Sequence, residues 1–380
     1  MNKQKICIIG DGLSGSATAA IMSKQYVSID LYSGNKRNNK NLDNRTTAVS
    51  ESNFQFIKSN LNLSNDIFFP CKEINLFFED KKKIINFLNF NEKNKNSMYI
   101  FNNKNLKKKL DKIITLKQNI KLIKKNVENI NSEDTSISLG KKKIFYDLII
   151  LSIGGLSKFY SKIESNRSIK KNYEEVAITG IVKHNAKIIN ASQFFLKEGP
   201  LVILPFKKKT FSTVWSVDNN FFNLNKKNLK KILIKKLKTL LNVKEIKNIE
   251  YIRTFPINLN LKTKYFKKNI LILGDGLHTV HPIAGQGFNL VLRDIKKLTE
   301  LMSKNSRLGL LFKDSFMFKD FYNSRKPENN LIGFGINLTN SFFKDSKYFS
   351  ILKIKILNNI NNFDFIKKIS KSVADRGIST

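Results

Sequence analysis

Two glycine-rich segments carry the residues whose types and spacing could do chemistry. The first is Gly10-Asp11-Gly12-Leu13-Ser14-Gly15, which fits the pattern G-x-G-x-x-G. In such a turn the first glycine permits a tight bend and the second lets the backbone approach a pyrophosphate. The third lets a helix pack closely on a strand. Free N–H groups at the helix start then face the phosphates, assisted by the helix dipole. By itself the hexapeptide is a weak signal. Here it follows the apolar run Lys5-Ile6-Cys7-Ile8-Ile9 and opens a segment rich in small residues (Ser14, Ser16, Ala17, Ala19, Ala20). That is the strand–turn–helix context the chemistry needs.

The second segment runs Gly274-Asp275-Gly276-Leu277-His278-Thr279-Val280-His281-Pro282-Ile283-Ala284-Gly285-Gln286-Gly287-Phe288-Asn289. It reads as a strand end, an acid, a proline-broken loop and a glycine-rich entry to a helix. A carboxylate at the carboxyl end of a strand can accept hydrogen bonds from a sugar-alcohol chain. A helix starting near 286 presents unpaired N–H groups suited to the negative charge on the pyrimidine edge of a reduced flavin. His278 and His281 invite an acid–base reading; loop packing and backbone hydrogen bonding are the preferred roles. His184 is read as structural. No Ser/His/Asp arrangement or zinc spacing is present, so no catalytic side chain and no metal ligand is assigned.

These segments need elements to position them. Strands are predicted at 5–9, 27–32, 144–153 and 270–273, and helices at 13–25, 104–117, 224–241 and 286–303. Between them, β-like runs at 175–183, 192–196, 200–206 and 211–217 suggest an antiparallel sheet, with Lys207-Lys208-Lys209 at a hairpin tip. The last 50 residues read as helices. The expected organisation is a discontinuous nucleotide-binding domain (1–70, 98–170 and 262–330), an inserted domain (71–97 and 171–261) and a helical segment (331–380).

Both segments resemble the class A flavoprotein monooxygenases. The wording around Asp275, with His278, Pro282, Gly285, Gln286, Gly287, Asn289, Arg293 and Asp294, is similar to the ubiquinone-biosynthesis hydroxylase family in particular. Arg45-Thr46-Thr47-Ala48-Val49-Ser50 resembles that family's flavin-contacting arginine segment. Gly199-Pro200, Leu204-Pro205 and Trp215 resemble its substrate-domain hairpin, and Phe255-Pro256 the stretch before the second glycine motif. The resemblance implies an α/β fold: a Rossmann-like FAD-binding domain, para-hydroxybenzoate-hydroxylase-like, with an inserted antiparallel β-sheet substrate domain and C-terminal helices. It implies FAD as cofactor and NAD(P)H as co-substrate. Gly10, Gly12, Leu13, Gly15, Ser33, Arg45, Gly274, Asp275, Pro282, Gly285, Gln286, Gly287 and Asn289 become the expected cofactor-binding residues. It further implies O₂ and a lipophilic prenylated phenol as reactants. An alternative is a non-catalytic or differently reacting flavin-fold subunit of a quinone-biosynthesis assembly.

Two positions depart from the family pattern. The acid expected after the second strand, on the adenosine ribose, is replaced by Ser33, whose hydroxyl is the weaker partner. The Asp-Gly pair expected after the strand at 147–152 is replaced by Ile153-Gly154, followed by Gly155. Both touch the nucleotide side of the site.

Composition constrains the rest. Formal net charge is +38, from 68 basic and 30 acidic residues, which attracts polyanions. The lysine triplets at 81–83, 107–109, 141–143 and 207–209 are scattered, and Lys, Asn, Ile and Phe are inflated together. Most of the charge is therefore assigned to compositional bias. Nucleic-acid binding would need stacking aromatics on a basic face, whereas the phenylalanines follow apolar periodicity. A basic surface beside a membrane-soluble substrate suggests peripheral docking, with a cytoplasmic location at the inner face of the plasma membrane. Other quinone-biosynthesis proteins are candidate partners. Two cysteines, Cys7 and Cys71, exclude a disulfide scaffold. The short apolar run near the N-terminus predicts no signal peptide.

Overall fold

The computed structural model describes residues 3–34 and 43–344, apart from 82, 92–94, 156, 164–167, 187–188 and 243–245. Beyond 344 it describes Leu357, Lys368, Ser372, Val373, Asp375 and Gly377.

The first glycine turn follows an inner strand of a six-stranded sheet. Its strand order is Phe266–Lys267, Ile270–Ile272, Leu148–Leu151, Gln4–Ile9, Val27–Tyr32 and Ile120–Ile123. All neighbours are parallel except the terminal hairpin of Phe266–Lys267 with Ile270–Ile272. Parallel strands are covered on both faces and so need unbroken apolar runs. Ile6, Cys7, Ile8 and all four residues of Leu148–Leu151 are accordingly sealed from solvent. The helix Leu13–Met22 can sit close to these strands because its first turn is small. A Cβ on Gly15 would lie 1.9 Å from the Gly10 carbonyl oxygen, and one on Gly10 would lie 2.3 Å from that of Ser152. Gly10 also has φ +107°, a conformation that excludes side chains.

The expected strand 144–153 proves to be two elements. Lys142–Phe145 belongs to a separate three-stranded meander with Asn129–Asn131 and Ser136–Leu139. The chain breaks at Tyr146 and Asp147, where polar bonds hold it: Tyr146 pairs with the Tyr32 hydroxyl (2.8 Å), and Asp147 accepts the Lys5 N–H (2.6 Å). The helix expected over 224–241 is likewise two, Asn219–Asn225 and Leu229–Leu241. The first helix stops at Met22, where the Ser23 hydroxyl bonds the Ala20 carbonyl (2.8 Å).

A second, eight-stranded sheet has the order His278–Thr279, Ile246–Lys262, Ser168–His184, Thr210–Asp218, Gly199–Lys207, Ala191–Leu196, Glu73–Asp80 and Lys83–Asn91. The lysine triplet spans the Gly199–Lys207 to Thr210–Asp218 hairpin turn. The sheet is antiparallel except where Ala191–Leu196 runs parallel to Glu73–Asp80, two strands that lie far apart in the chain. Its central strands bury Trp215, Leu201 and Ile203 against Leu229, Leu233 and Leu237 of one helix. The two sheets meet where His278 and Thr279 pair with Leu261 and Asn260. That pairing makes the second glycine segment an edge strand of the second sheet.

Two long helices close the structure. Gln286–Arg307 packs on the first sheet, and Met317–Lys344 lies against it. The rest of the expected C-terminal helical segment falls almost entirely outside the described residues.

Candidate flavin and substrate site

Between the two sheets lies a cavity of about 1280 Å³. Gly10–Ser14 forms one end of it, Asp43–Ser50 a side, and Asp275 with Pro282–Asn289 the floor. Ligand pockets run to about 1,000 Å³, so there is room for a second molecule beside a cofactor.

Of the residues expected to hold a cofactor, Gly10, Gly12, Leu13, Arg45, Asp275, Pro282, Gly285, Gln286, Gly287 and Asn289 line this one cavity. Gly15, Ser33 and Gly274 do not. Gly15 and Gly274 serve packing: a Cβ on Gly274 would lie 2.9 Å from that of Ser14. Ser33 is 3% exposed, and its neighbour Gly34 lines the cavity instead. The following residues, 35–42, lie outside the described residues.

The glycines divide by what surrounds them. Gly10 and Gly15 are hemmed in by backbone, whereas a Cβ on Gly12 or Gly287 would meet no protein atom within 4 Å. Small residues with open space in front leave backbone N–H groups accessible to a bound anion. Gly285, at φ +61°, caps the helix Gln286–Arg307 in the left-handed region and turns the chain into it. The Asp275 side chain is exposed, into the cavity, while Gly274 and Gly276 on either side are buried. A Cβ on Gly276 would collide with the Tyr160 hydroxyl.

Arg45 is held before any ligand arrives. Its Nε and Nη2 donate to the two oxygens of Asp43 (2.8 and 2.9 Å), and its guanidinium lies 4.9 Å from the Phe255 ring centre. Burial would raise the Asp43 carboxyl, but the Arg45 hydrogen bonds outweigh it and hold the group below its usual range. Asn103 completes the set by donating to Asp43 (2.9 Å) and accepting from Thr47 (2.6 Å). Lys104 and Lys107 also line the cavity, with Lys107 Nζ 4.0 Å from Asp11. The sequence reading passed over these two cations because they sit in a lysine-rich helix, Asn103–Leu116, where nothing local distinguishes them.

Asn289 lines the cavity, but its side chain is committed to protein. Its Oδ1 accepts from Ser50 N (3.0 Å) and Asn53 (2.9 Å), and its Nδ2 donates to the carbonyls of Ala48 (3.1 Å) and Gly285 (3.0 Å). It clamps the strand Thr46–Ser50 to the turn at Gly285 and so positions both walls.

The histidines are equally committed. His278 Nε2 lies 2.7 Å from Asp294 Oδ2, and Arg325 Nε donates to the other oxygen (2.6 Å), all sealed from solvent. Burial pushes the Asp294 carboxyl up; the Arg325 and His278 charges outweigh it and bring it below its usual range. His281 Nδ1 accepts from Ile283 N (3.2 Å), which leaves Nε2 to donate to Glu175 (2.9 Å). The backbone bond matches the expected role; the buried carboxylate partners come from distant strands and helices. At Ile153, Gly154 and Gly155 the cavity wall offers no carboxylate, and Asp147 lies at the opposite end of that strand, bonded to Lys5.

The cavity therefore fits FAD on its own geometry: an open glycine turn at a helix start, a carboxylate beyond a second strand, and a second helix start facing the same space.

Comparison with known proteins agrees. A family model for the FAD binding domain matches residues 160–307. The p-nitrophenol 4-monooxygenase PnpA of Pseudomonas putida DLL-E4 superposes over 99% of both chains with TM-score 0.76 at 13% identity. PqsL of Pseudomonas aeruginosa, a probable FAD-dependent monooxygenase, does so over 90% of this chain and 97% of its own, with TM-score 0.74 at 15% identity. The chain has their fold, and FAD is its cofactor.

Several of its sequence relatives are named for ubiquinone biosynthesis. The ubiquinone biosynthesis monooxygenase COQ6 of Dictyostelium discoideum is 31% identical over 156 residues, 40% of this chain and 30% of the relative. The ubiquinone hydroxylase UbiL of Rhodospirillum rubrum is 26% identical over 42% of this chain and 38% of its own. The 3-demethoxyubiquinol 3-hydroxylase of Escherichia coli is 24% identical over 40% of each. The chain thus spans less than half the length of these relatives.

Proposed function

We propose that the protein is an FAD-dependent hydroxylase acting on the aromatic ring of a prenylated phenol in ubiquinone biosynthesis. The observation that carries this reading is continuity: the cavity reached by Gly12 and Asp275 extends between apolar walls formed by Ile74, Leu76, Phe90, Phe195, Leu204 and Ile336. A lipophilic ring fits beside the flavin there without crossing charge.

When bound, reduced FAD supplies the chemistry, activating O₂ so that one oxygen atom reaches the ring. The chain's own residues would bind, orient and keep water out. Gly10, Gly12 and Leu13, with Lys104 and Lys107 nearby, would take the pyrophosphate, with Gly15 and Gly274 holding the turn and Ser33 at its ribose end. Asp275 would accept from the sugar-alcohol chain. Arg45, Pro282, Gly285, Gln286 and Gly287 would bound the ring system, with Asn289 fixing their spacing. No histidine of the cavity is offered as a base, because both ring nitrogens of His281 and the Nε2 of His278 are already engaged. The apolar walls exclude water. NAD(P)H remains the proposed reductant. The domain division read from the sequence, a peripheral location at the inner face of the plasma membrane and contact with other quinone-biosynthesis proteins belong to the same proposal. No described helix is long and apolar enough to cross a membrane.

The test is purified protein with a flavin spectrum, NAD(P)H oxidation stimulated by a prenylated phenol, and label from ¹⁸O₂ in the product. Protein that neither retains nor regains flavin refutes the cofactor assignment. Flavin-loaded protein that oxidises NAD(P)H without labelling the phenol refutes hydroxylation. A deletion strain with an intact quinone pool and no accumulated precursor refutes the pathway.

A further inference from the structure

The second half of the helix Met317–Lys344 carries apolar residues on an inward and an outward face, with Asn337, Thr339, Asn340 and Ser341 between them. Ile332 and Ile336 point inward and are 7% exposed, and Ile336 with Thr339 lines the cavity. The outward positions are Leu331, Phe334, Gly335, Leu338 and Phe342, a single stripe at helical spacing. Leu331 is 56% exposed, Phe334 38%, Leu338 67% and Phe342 41%. Residues 331–343 carry no charged side chain, in a chain where 26% of residues are charged. A contiguous exposed apolar stripe marks an interaction surface.

Charge decides what covers it. The stripe is flanked by cations: Lys171 Nζ donates to Asn337 (3.0 Å), and Lys170 and Lys171 are both exposed on the adjoining strand. A second copy of a chain carrying +38 would be repelled. Acidic lipid supplies both an apolar layer for the stripe and anions for the lysines.

We propose that the Leu331–Phe334–Leu338–Phe342 face of this helix inserts into the interface of an anionic bilayer. The same helix carries Ile336 and Thr339 on the cavity wall, so insertion brings the cavity next to the lipid. This deepens the peripheral location proposed above and rests on it; vesicle binding and turnover are separate measurements, so either can fail while the other holds.

The experiment is co-sedimentation of FAD-loaded, full-length protein with vesicles of phosphatidylcholine alone or with added phosphatidylglycerol. The wild type should bind the anionic vesicles and release in high salt. Leu331→Ser/Leu338→Ser should lower partitioning about tenfold or more, with flavin content and melting temperature unchanged because both positions are more than half exposed. Lys170→Gln/Lys171→Gln should weaken binding to anionic vesicles only. Leu224→Ser, 87% exposed on a different helix, should change nothing. The proposal is overturned if the stripe variant binds as the wild type does. It is also overturned if the wild type ignores lipid charge, or if light scattering shows a dimer that the stripe variant dissolves.

Discussion

Replacing Glu175 by Gln tests whether one buried carboxylate holds the His281 loop and the helix Met317–Lys344 to the second sheet. Glu175 lies in the strand Ser168–His184 and is 4% exposed. It accepts hydrogen bonds from His281 (2.9 Å), Lys344 (2.8 Å) and Asn340 (3.3 Å). Burial by itself pushes its carboxyl up. The hydrogen bonds from His281 and Lys344, with the Lys344 charge, outweigh burial and bring it from the ordinary 4.5 down to about 2. At about 1.4 kcal/mol per pH unit, that difference corresponds to about 3 kcal/mol of stability at neutral pH. Lys344 is half exposed, so solvent screens part of this and about 2 kcal/mol is the better expectation. For a chain of this size the melting temperature should fall by about 2–3 °C. The sign follows from linkage. The carboxyl is lower in the folded state, so its contribution is complete above about pH 4.5 and is lost as pH falls towards about 2. Glutamine does not titrate, so urea midpoints of wild type and Glu175→Gln should differ most at neutral pH and converge below about pH 4.5. A gap that is constant across pH, or absent at pH 7, would refute the ion-pair argument.

Four further substitutions probe the site. Gly12→Ala places a Cβ in open cavity space, so the urea midpoint should shift by less than about 0.5 kcal/mol while flavin absorbance of the purified protein drops. Gly10→Ala, at φ +107° and against the Ser152 carbonyl, should instead destabilise the fold, seen as loss of soluble protein or of the cooperative transition. Asp294→Asn removes one of the two carboxylates that bond the buried Arg325 and leaves Glu328 in place, so it should cost about 1.5–3 kcal/mol by urea unfolding; a cost below about 0.5 kcal/mol would mean the bond contributes nothing. Arg45→Met breaks a half-exposed pair, so stability should change by less than about 1 kcal/mol, while flavin affinity, titrated by fluorescence, should fall on the order of tenfold.

The first glycine turn and the strand feeding it were legible because everything they need is local. A six-residue spacing sets the turn, the preceding apolar run sets a buried strand, and small residues set a close helix. The same locality made Asp275 and Gly285–Gly287 recognisable. Local pattern misplaced the strand end at 144–153, because continuous apolar character ran across a break that Tyr146 and Asp147 impose through bonds to residues more than 100 positions away. It also passed over Lys104 and Lys107, which differ from their lysine neighbours only in facing the cavity.

What the sequence by itself determined is the pair of glycine segments, and with them the class of cofactor. Backbone conformation and close approach are enforced by residue type at fixed short spacing. What only the tertiary structure decided is how those segments are held. His281 meets Glu175 across 106 positions, and Asn289 clamps Ser50 across 239. The pairing of His278 with Leu261 fastens the second segment to the other sheet. Sheet register and the burial of charge create these partnerships, and neither exists until distant strands have been brought side by side.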